Sequence, residues 1–184
     1  MQLIGPYLVA CALLMVAGVA KAIRPDDTAR ALAVVVPIRA RHLRWIIRVG
    51  SIIEATLGMV ALLAPRTMTA GLVAVSYLVF AGAVAYARSE GGAIASCGCF
   101  GTPDTPATML HVVINGGLAV SAGVVALAGP TGSIASVLSA QPIHGVPLVA
   151  ASALCGWLTY LAITAMARLD AARRLVGISF RPPR

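Results

Sequence analysis

Residues 97–128, CGCFGTPDTPATMLHVVINGGLAVSAGVVALA, join a polar segment that carries two thiols to an apolar run of membrane-spanning length. A bilayer span needs roughly 20 apolar residues, and the run from about Ala107 to Ala128 supplies them. Thr105, Pro106 and Thr108 are typical of a helix start. The stretch therefore predicts a membrane helix that begins shortly after a pair of cysteines.

The composition of the whole chain is that of a membrane protein. Its 184 residues are 59% hydrophobic and 11% charged, with a mean hydropathy of +0.92. A soluble domain is roughly 45–50% apolar and about 25% charged. The net charge of +8 does not indicate a nucleic-acid partner, because the cations flank apolar runs and form no continuous stripe. We expect a lipid bilayer as the environment.

Five apolar runs, separated by polar or Pro/Gly-rich joins, predict the fold. They cover residues 3–23, 46–64, 68–87, 107–128 and 146–167. The predicted class is all-α: a polytopic membrane protein with an antiparallel four-helix transmembrane bundle and a fifth transmembrane helix. We expect a four-helix membrane domain over residues 1–128, and a loop, the fifth helix and a basic tail over residues 129–184.

The connector after the first run, residues 24–45, is rich in arginine, and the helix that it can form over residues 29–36 is too short to add a span. Residues 26–28 offer N-cap side chains, and a helix can then continue until Pro37. We predict an amphipathic helix over residues 26–36 that lies in the membrane interface, with its arginines directed to lipid headgroups.

Glu54 lies inside the second predicted span, about 12 Å from its cationic end at ~1.5 Å per residue. A carboxylate at that depth costs roughly 2.5 kcal/mol or more unless it has a partner. Lys21, at the same end of the first span, is the expected partner. The pair acts either as a clamp between helices or as part of a proton relay.

The thiol motif Cys97-Gly98-Cys99-Phe100-Gly101 leaves three interpretations open: a dithiol–disulfide cycle, a soft-metal site, or a plain turn. A disulfide closed across one residue is strained, and strained bridges are the labile or catalytic ones. Gly98 permits the cramped backbone of such a ring. We expect Phe100 to enter the interface and Gly101 to turn the chain back. The positive end of the next helix favours a thiolate, but the nucleophile stays unassigned.

Four other residues bear on this chemistry. His111 and Asn115 are four positions apart and share a helix face near the thiols. They either orient the thiols or a ligand, or form hydrogen bonds between helices. Cys11 and Cys155 lie well inside apolar runs, and we expect no redox role for them.

With these features in place, the chain resembles the MauE (methylamine utilisation) family within the broader DoxX-like group. The resemblance covers roughly residues 5–128. It rests on the thiol motif, the arginine-rich connector, and the residues Gly18, Lys21, Glu54 and Gly58.

The resemblance implies a redox-associated membrane protein that acts with a thioredoxin-like partner in the maturation of disulfide-containing exported proteins. Cys97 and Cys99 would then act as a thiol–disulfide oxidoreductase pair. The layout is also similar to the vitamin K epoxide reductase fold, in which quinone reduction is coupled to disulfide formation. The chain lacks that fold's Cys-x-x-Cys and its additional cysteine pair, so no motif specifies a quinone or any other cofactor.

Two alternative functions stay open. One is a soft-metal handling protein that holds Cu(I) or zinc on the two thiolates, with Met109 and His111 as the only further ligands near the motif. The other is an accessory subunit of a larger membrane complex.

The charges also predict a topology in the plasma (inner) membrane. With five spans, 13 of the 14 Lys and Arg residues fall on the side of the thiol loop, and only Arg66 is opposite. The positive-inside rule then places the N-terminus outside and the thiol loop in the cytoplasm. The family resemblance implies the reverse orientation.

Overall fold

The computed structural model describes residues 4–33, 39–89, 108–129, 135, 138, 139 and 142–179. Five of its helices are long and apolar enough to cross a membrane, so the predicted all-α polytopic fold is confirmed. The helices are α1 (Ile4–Ile23), α2 (Pro25–Ala33), α3 (Ala40–Leu63), α4 (Thr67–Ser89), α5 (Met109–Ala128) and α6 (Pro142–Ser179).

Helix α1 is the central element of the bundle. The membrane-spanning part of α1 is 56% buried, against 11% for that of α6, because α1 packs on α3, α5 and α6 as well as on α4. Leu14 and Cys11 of α1 are fully buried, beside Ala61, Val73 and Ala122 from the other three helices of the bundle. Tight, small-residue packing of this kind is typical of membrane helices, which gain little from apolar burial alone.

The turn between α3 and α4 is tight, and the backbone N–H groups of Ala64 and Arg66 find hydrogen-bond acceptors within it. Pro65 follows α3, and the backbone N–H of Ala64 closes the last turn on the carbonyl of Val60 at 2.8 Å. The backbone N–H of Arg66 donates to Thr69 Oγ1 at 2.9 Å, which caps the start of α4. The two helices therefore run antiparallel, as predicted.

The connector differs from its prediction in two respects. Helix α2 begins at Pro25, one residue before its predicted start, so Asp26 and Asp27 lie in its first turn and neither is the N-cap residue. Pro is favoured at a first helical position, where its missing N–H is not needed. Residues 34–38 lie outside the described residues, so the predicted extension towards residue 36 is not tested.

The second difference is that α3 begins at Ala40, six residues earlier than predicted. The first turns of α3 therefore carry Arg41, His42 and Arg44, which the sequence had placed in the connector. The reason is packing, because Leu43 and Ile47 of α3 bury Ala29 of α2 and so extend the helix beyond its apolar run.

The fifth helix is also longer than expected, because α6 continues through Arg168 to Ser179. Its 38 residues correspond to about 57 Å, whereas a hydrocarbon core is about 30 Å thick. Arginine, leucine and alanine are good helix formers, so charge alone does not end the helix. The basic tail therefore begins as a continuation of α6.

Candidate functional site

The candidate site lies at the end of the bundle where α1 and α4 finish and α5 begins. Helices α4 and α5 pack antiparallel, with Gly123 about level with Ala74. The chain that leaves α4 at Ser89 consequently returns to the same end at Thr108. Lys21, two residues before the end of α1, lies at this end as well.

The thiol motif, Cys97-Gly98-Cys99-Phe100-Gly101, falls between these two helix ends but lies outside the described residues. The roles predicted for these five residues therefore stay predictions. The structure describes the two helix ends that the loop connects, the end of α4 and the start of α5.

Helices α1 and α3 approach each other closely at two glycines. A Cβ on Gly18 would lie 2.6 Å from the backbone nitrogen of Ala55 and 2.7 Å from the carbonyl oxygen of Ser51. A Cβ on Gly58 would lie 2.7 Å from the carbonyl oxygen of Cys11. Only glycine permits this backbone-to-backbone contact, and it sets the register that brings the C-terminal end of α1 opposite Glu54.

Lys21 and Glu54 form an ion pair across that contact, through Nζ and Oε2. Their side chains are only 8% and 22% exposed, respectively. The pairing predicted from the depth of Glu54 in its span is thus confirmed. Its geometry supports a clamp between helices, because each charge compensates the other in a place that water scarcely reaches.

Two aromatic side chains of α4 complete this cluster, and the sequence analysis missed both. Lys21 Nζ lies 4.4 Å from the ring centroid of Phe80, a cation–π distance. Phe80 meets Tyr77 edge-on, with ring centroids 6.0 Å apart, and Tyr77 Oη donates to the carbonyl of Ala10 at 2.7 Å. Their spacing of three residues on one helix was the available signal.

His111 is 2% exposed and belongs to the cap of α5. Its Nδ1 accepts from the backbone N–H of Thr108 at 3.3 Å and lies 2.8 Å from Thr108 Oγ1. Since Nδ1 accepts, the ring proton of neutral His111 is assigned to Nε2. Nε2 is buried and has no hydrogen-bond partner among the residues that the structure describes.

Asn115 does not reach across to another helix in the contacts described. Its Nδ2 donates to the carbonyl of His111 at 2.7 Å, one turn back along α5. The observed bonds of Asn115 and His111 are therefore local to the start of α5, rather than between helices. A role of either residue towards the thiols is a prediction that the described residues do not test.

The other two cysteines are free and lie in different surroundings. Cys11 is fully buried at the centre of α1, about 15 Å along the helix from Lys21. Cys155 is exposed on the outer surface of α6. Within residues 4–33, 39–89, 108–129 and 142–179, no group of three His, Cys, Asp or Glu side chains is placed to hold a metal ion.

The model of the family described as methylamine utilisation protein MauE matches residues 2–129. The chain belongs to the MauE family. The match includes the thiol motif and all four bundle helices, and it ends at the residue after α5. Membership of the broader DoxX-like group stays a prediction. No curated protein and no solved structure was found to match the chain.

Membership of the MauE family, together with the five apolar helices, makes this chain a multi-pass membrane protein. Helix α6 and the residues after it lie beyond the region shared with the family. The ion pair, the two close-contact glycines and the cap of α5 all lie within the shared region.

Proposed function

We propose that the chain is a thiol–disulfide exchange protein of the membrane, in which Cys97 and Cys99 exchange electrons with a thioredoxin-like partner. One observation carries the proposal. Two cysteines separated by one glycine lie in the segment that joins α4 to α5, at an end of the bundle that the buried Lys21–Glu54 ion pair and the close contact at Gly18 hold together.

The reaction balances as a two-electron exchange. A thiolate of the pair attacks one sulfur of the partner's disulfide, forming a mixed disulfide and releasing the partner's other sulfur as a thiolate. The second cysteine of the pair then attacks the mixed bond. The Cys97–Cys99 disulfide forms, and the partner leaves as a dithiol. The reverse sequence oxidises the partner.

The surrounding bundle is suited to hold such a pair at a membrane face. Exchange requires access for a partner protein, and a segment between two helix ends offers it more readily than the interior of a span. The family's membrane character supports the same arrangement. Maturation of disulfide-containing exported proteins is the process that we propose for this exchange, and it requires the outward orientation of the thiol loop that the family resemblance implies.

Alkylation in intact membranes tests the proposal directly. Wild type, Cys97→Ser and Cys99→Ser are labelled with a maleimide before and after reductant, and the added mass is measured. We expect two additional labels on wild type that require reductant, and one label without reductant on each single variant. The matched control is a Cys11→Ala/Cys155→Ala double variant, which should keep both reductant-dependent labels.

Partner trapping provides the second measurement. A thioredoxin whose second active-site cysteine is replaced by serine should form a mixed disulfide with oxidised wild type, because its one thiolate attacks the Cys97–Cys99 disulfide. Neither single variant should form it, since each retains only one loop thiol and no disulfide to attack. Full labelling of both loop cysteines after oxidant, without reductant, would contradict the proposal. Protection from labelling by Cu(I) or zinc alone would favour the soft-metal function instead.

A further inference from the structure

A cleft of about 320 Å³ lies where α1 ends and where α2 and α3 begin. Three arginines of α3, at positions 41, 44 and 48, line one wall, because this spacing places them on one helix face. The opposite wall comes from the end of α1 and the start of α2, with Ile23, Pro25 and Asp26. Trp45 of α3 completes the lining of the cleft.

The charges in this cleft do not balance. Asp26 is the one carboxylate among the lining residues, and its Oδ1 lies 3.3 Å from Arg44 Nη1. Arg48 Nε donates to the carbonyl of Ala22 at 3.3 Å, which caps the end of α1. Arg41 has no carboxylate within ion-pair distance among the described residues. Two positive charges are therefore left without a counter-charge in the described part of the cleft.

The cleft also has an apolar edge. Trp45 is 65% exposed and Ile23 is 68% exposed, beside the arginines. Tryptophan at such a position is typical of the level where lipid headgroups meet acyl chains. A ligand that fits must therefore combine an anionic group with an apolar portion.

From this combination we propose that the cleft binds the phosphate of an anionic phospholipid, with the acyl chains of that lipid lying against Trp45 and Ile23. Arginine presents a planar fork of N–H donors that matches two phosphate oxygens at once. Basic pockets between membrane helices bind anionic headgroups by this chemistry. The site is independent of the thiol chemistry proposed above.

Fluorescence of Trp45 can report the bound lipid. The chain has two tryptophans, so a Trp157→Phe variant leaves Trp45 as the single reporter. The full-length variant is placed in phosphatidylcholine nanodiscs that contain increasing amounts of phosphatidylglycerol with acyl chains brominated near the headgroup. We expect stronger quenching than with equally brominated phosphatidylcholine at the same mole fraction.

Removing the unpaired charges should abolish this preference. In the Trp157→Phe background, Arg41→Gln/Arg48→Gln should raise the half-saturating fraction of phosphatidylglycerol by about tenfold or more. Arg41→Gln alone breaks no contact seen in the described residues and should cause an intermediate shift. Quenching by brominated phosphatidylcholine should not change, which shows that Trp45 still faces the lipid.

The matched control removes the same charge from outside the cleft. Arg30 and Arg39 lie on the same side of the protein, and the Arg30→Gln/Arg39→Gln variant should shift the half-saturating fraction of phosphatidylglycerol by less than about threefold.

Equal shifts in the two double variants would overturn the proposal, because the attraction of the lipid to the positive charges would then be diffuse. No preference for phosphatidylglycerol in the parent would overturn it too. Displacement by inorganic phosphate, at constant ionic strength, would show that the ligand is a soluble phosphate and not a lipid.

Discussion

Gly18 of α1 lies directly against the backbone of α3 at Ala55, so closely that a Cβ would sit 2.6 Å from the Ala55 nitrogen. This contact lies one turn before Lys21 and holds its end of α1 against the stretch of α3 that carries Glu54. The buried ion pair and the helix contact therefore depend on each other. A charge pair can persist at this depth only if both helices are fixed.

Enlarging Gly18 should separate the two helices. We expect Gly18→Ala to reduce the free energy of unfolding by about 1–3 kcal/mol, because overpacking forces the backbones apart. The measurement is reversible unfolding in detergent micelles. Gly82→Ala is the matched control, since nothing lies within 4 Å of its added Cβ. Equal destabilisation by both changes would contradict the contact.

Breaking the ion pair on one side should destabilise the bundle more than removing both partners. Glu54→Gln leaves Lys21 as an uncompensated charge, at a cost of about 2.5 kcal/mol. Adding Lys21→Met should recover part of that loss. A double-mutant cycle from unfolding measurements gives the coupling energy directly.

If the effects of Glu54→Gln and Lys21→Met simply add, no coupling exists and the clamp is wrong. The pair of Arg44 with Asp26 is the comparison within the same chain, because their side chains are 51% and 61% exposed. Asp26→Asn should cost less than about 1 kcal/mol, because solvent screens a surface pair.

The cap contact of His111 and its predicted role towards the thiols can be separated by substitution. His111→Gln keeps a side chain that suits the third position of a capping box, so the stability of α5 should change by less than about 1 kcal/mol. His111→Ala should lose the cap and cost roughly 1 kcal/mol. Thermal unfolding of both variants provides these values.

If the Nε2–H of His111 assists the thiols, the two variants should slow exchange with a thioredoxin about equally, by roughly tenfold or more. If its role is the cap alone, only His111→Ala should slow exchange. The comparison of exchange rates with stabilities decides between these roles, because only the proton-donor role depends on Nε2–H.

The arrangement of the helices does not determine which side of the membrane the thiol loop faces, so the orientation is a prediction. The charge count places the segment after α6 in the cytoplasm, with the thiol loop on the same side. A reporter that is active only outside the cell should therefore be inactive when fused after Arg184. Insertion of the same reporter at Arg66, at the opposite end of the bundle, should make it active. Activity after Arg184 would show that the orientation implied by the family resemblance is the correct one.

The sequence alone determined the number and approximate position of the spans, because membrane insertion depends on the length and hydropathy of each run. It also determined the pairing of Lys21 with Glu54, since a carboxylate at that depth needs a cation and few are within reach. Gly58, one of the residues on which the family resemblance rests, is a place of close helix approach, with Cys11 of α1 as its neighbour.

Only the tertiary structure decided the features that depend on contacts between distant residues. Phe80 completes the Lys21 cluster because α4 packs beside α1, which no local pattern specifies. Helix α3 begins at Ala40 because Leu43 and Ile47 gain burial against Ala29, although that part of the chain is too polar to continue an apolar run. The arginine cleft likewise exists only because the end of α1 and the start of α2 face the first turns of α3. Hydropathy is a property of each segment, whereas these contacts follow from the packing of one segment on another.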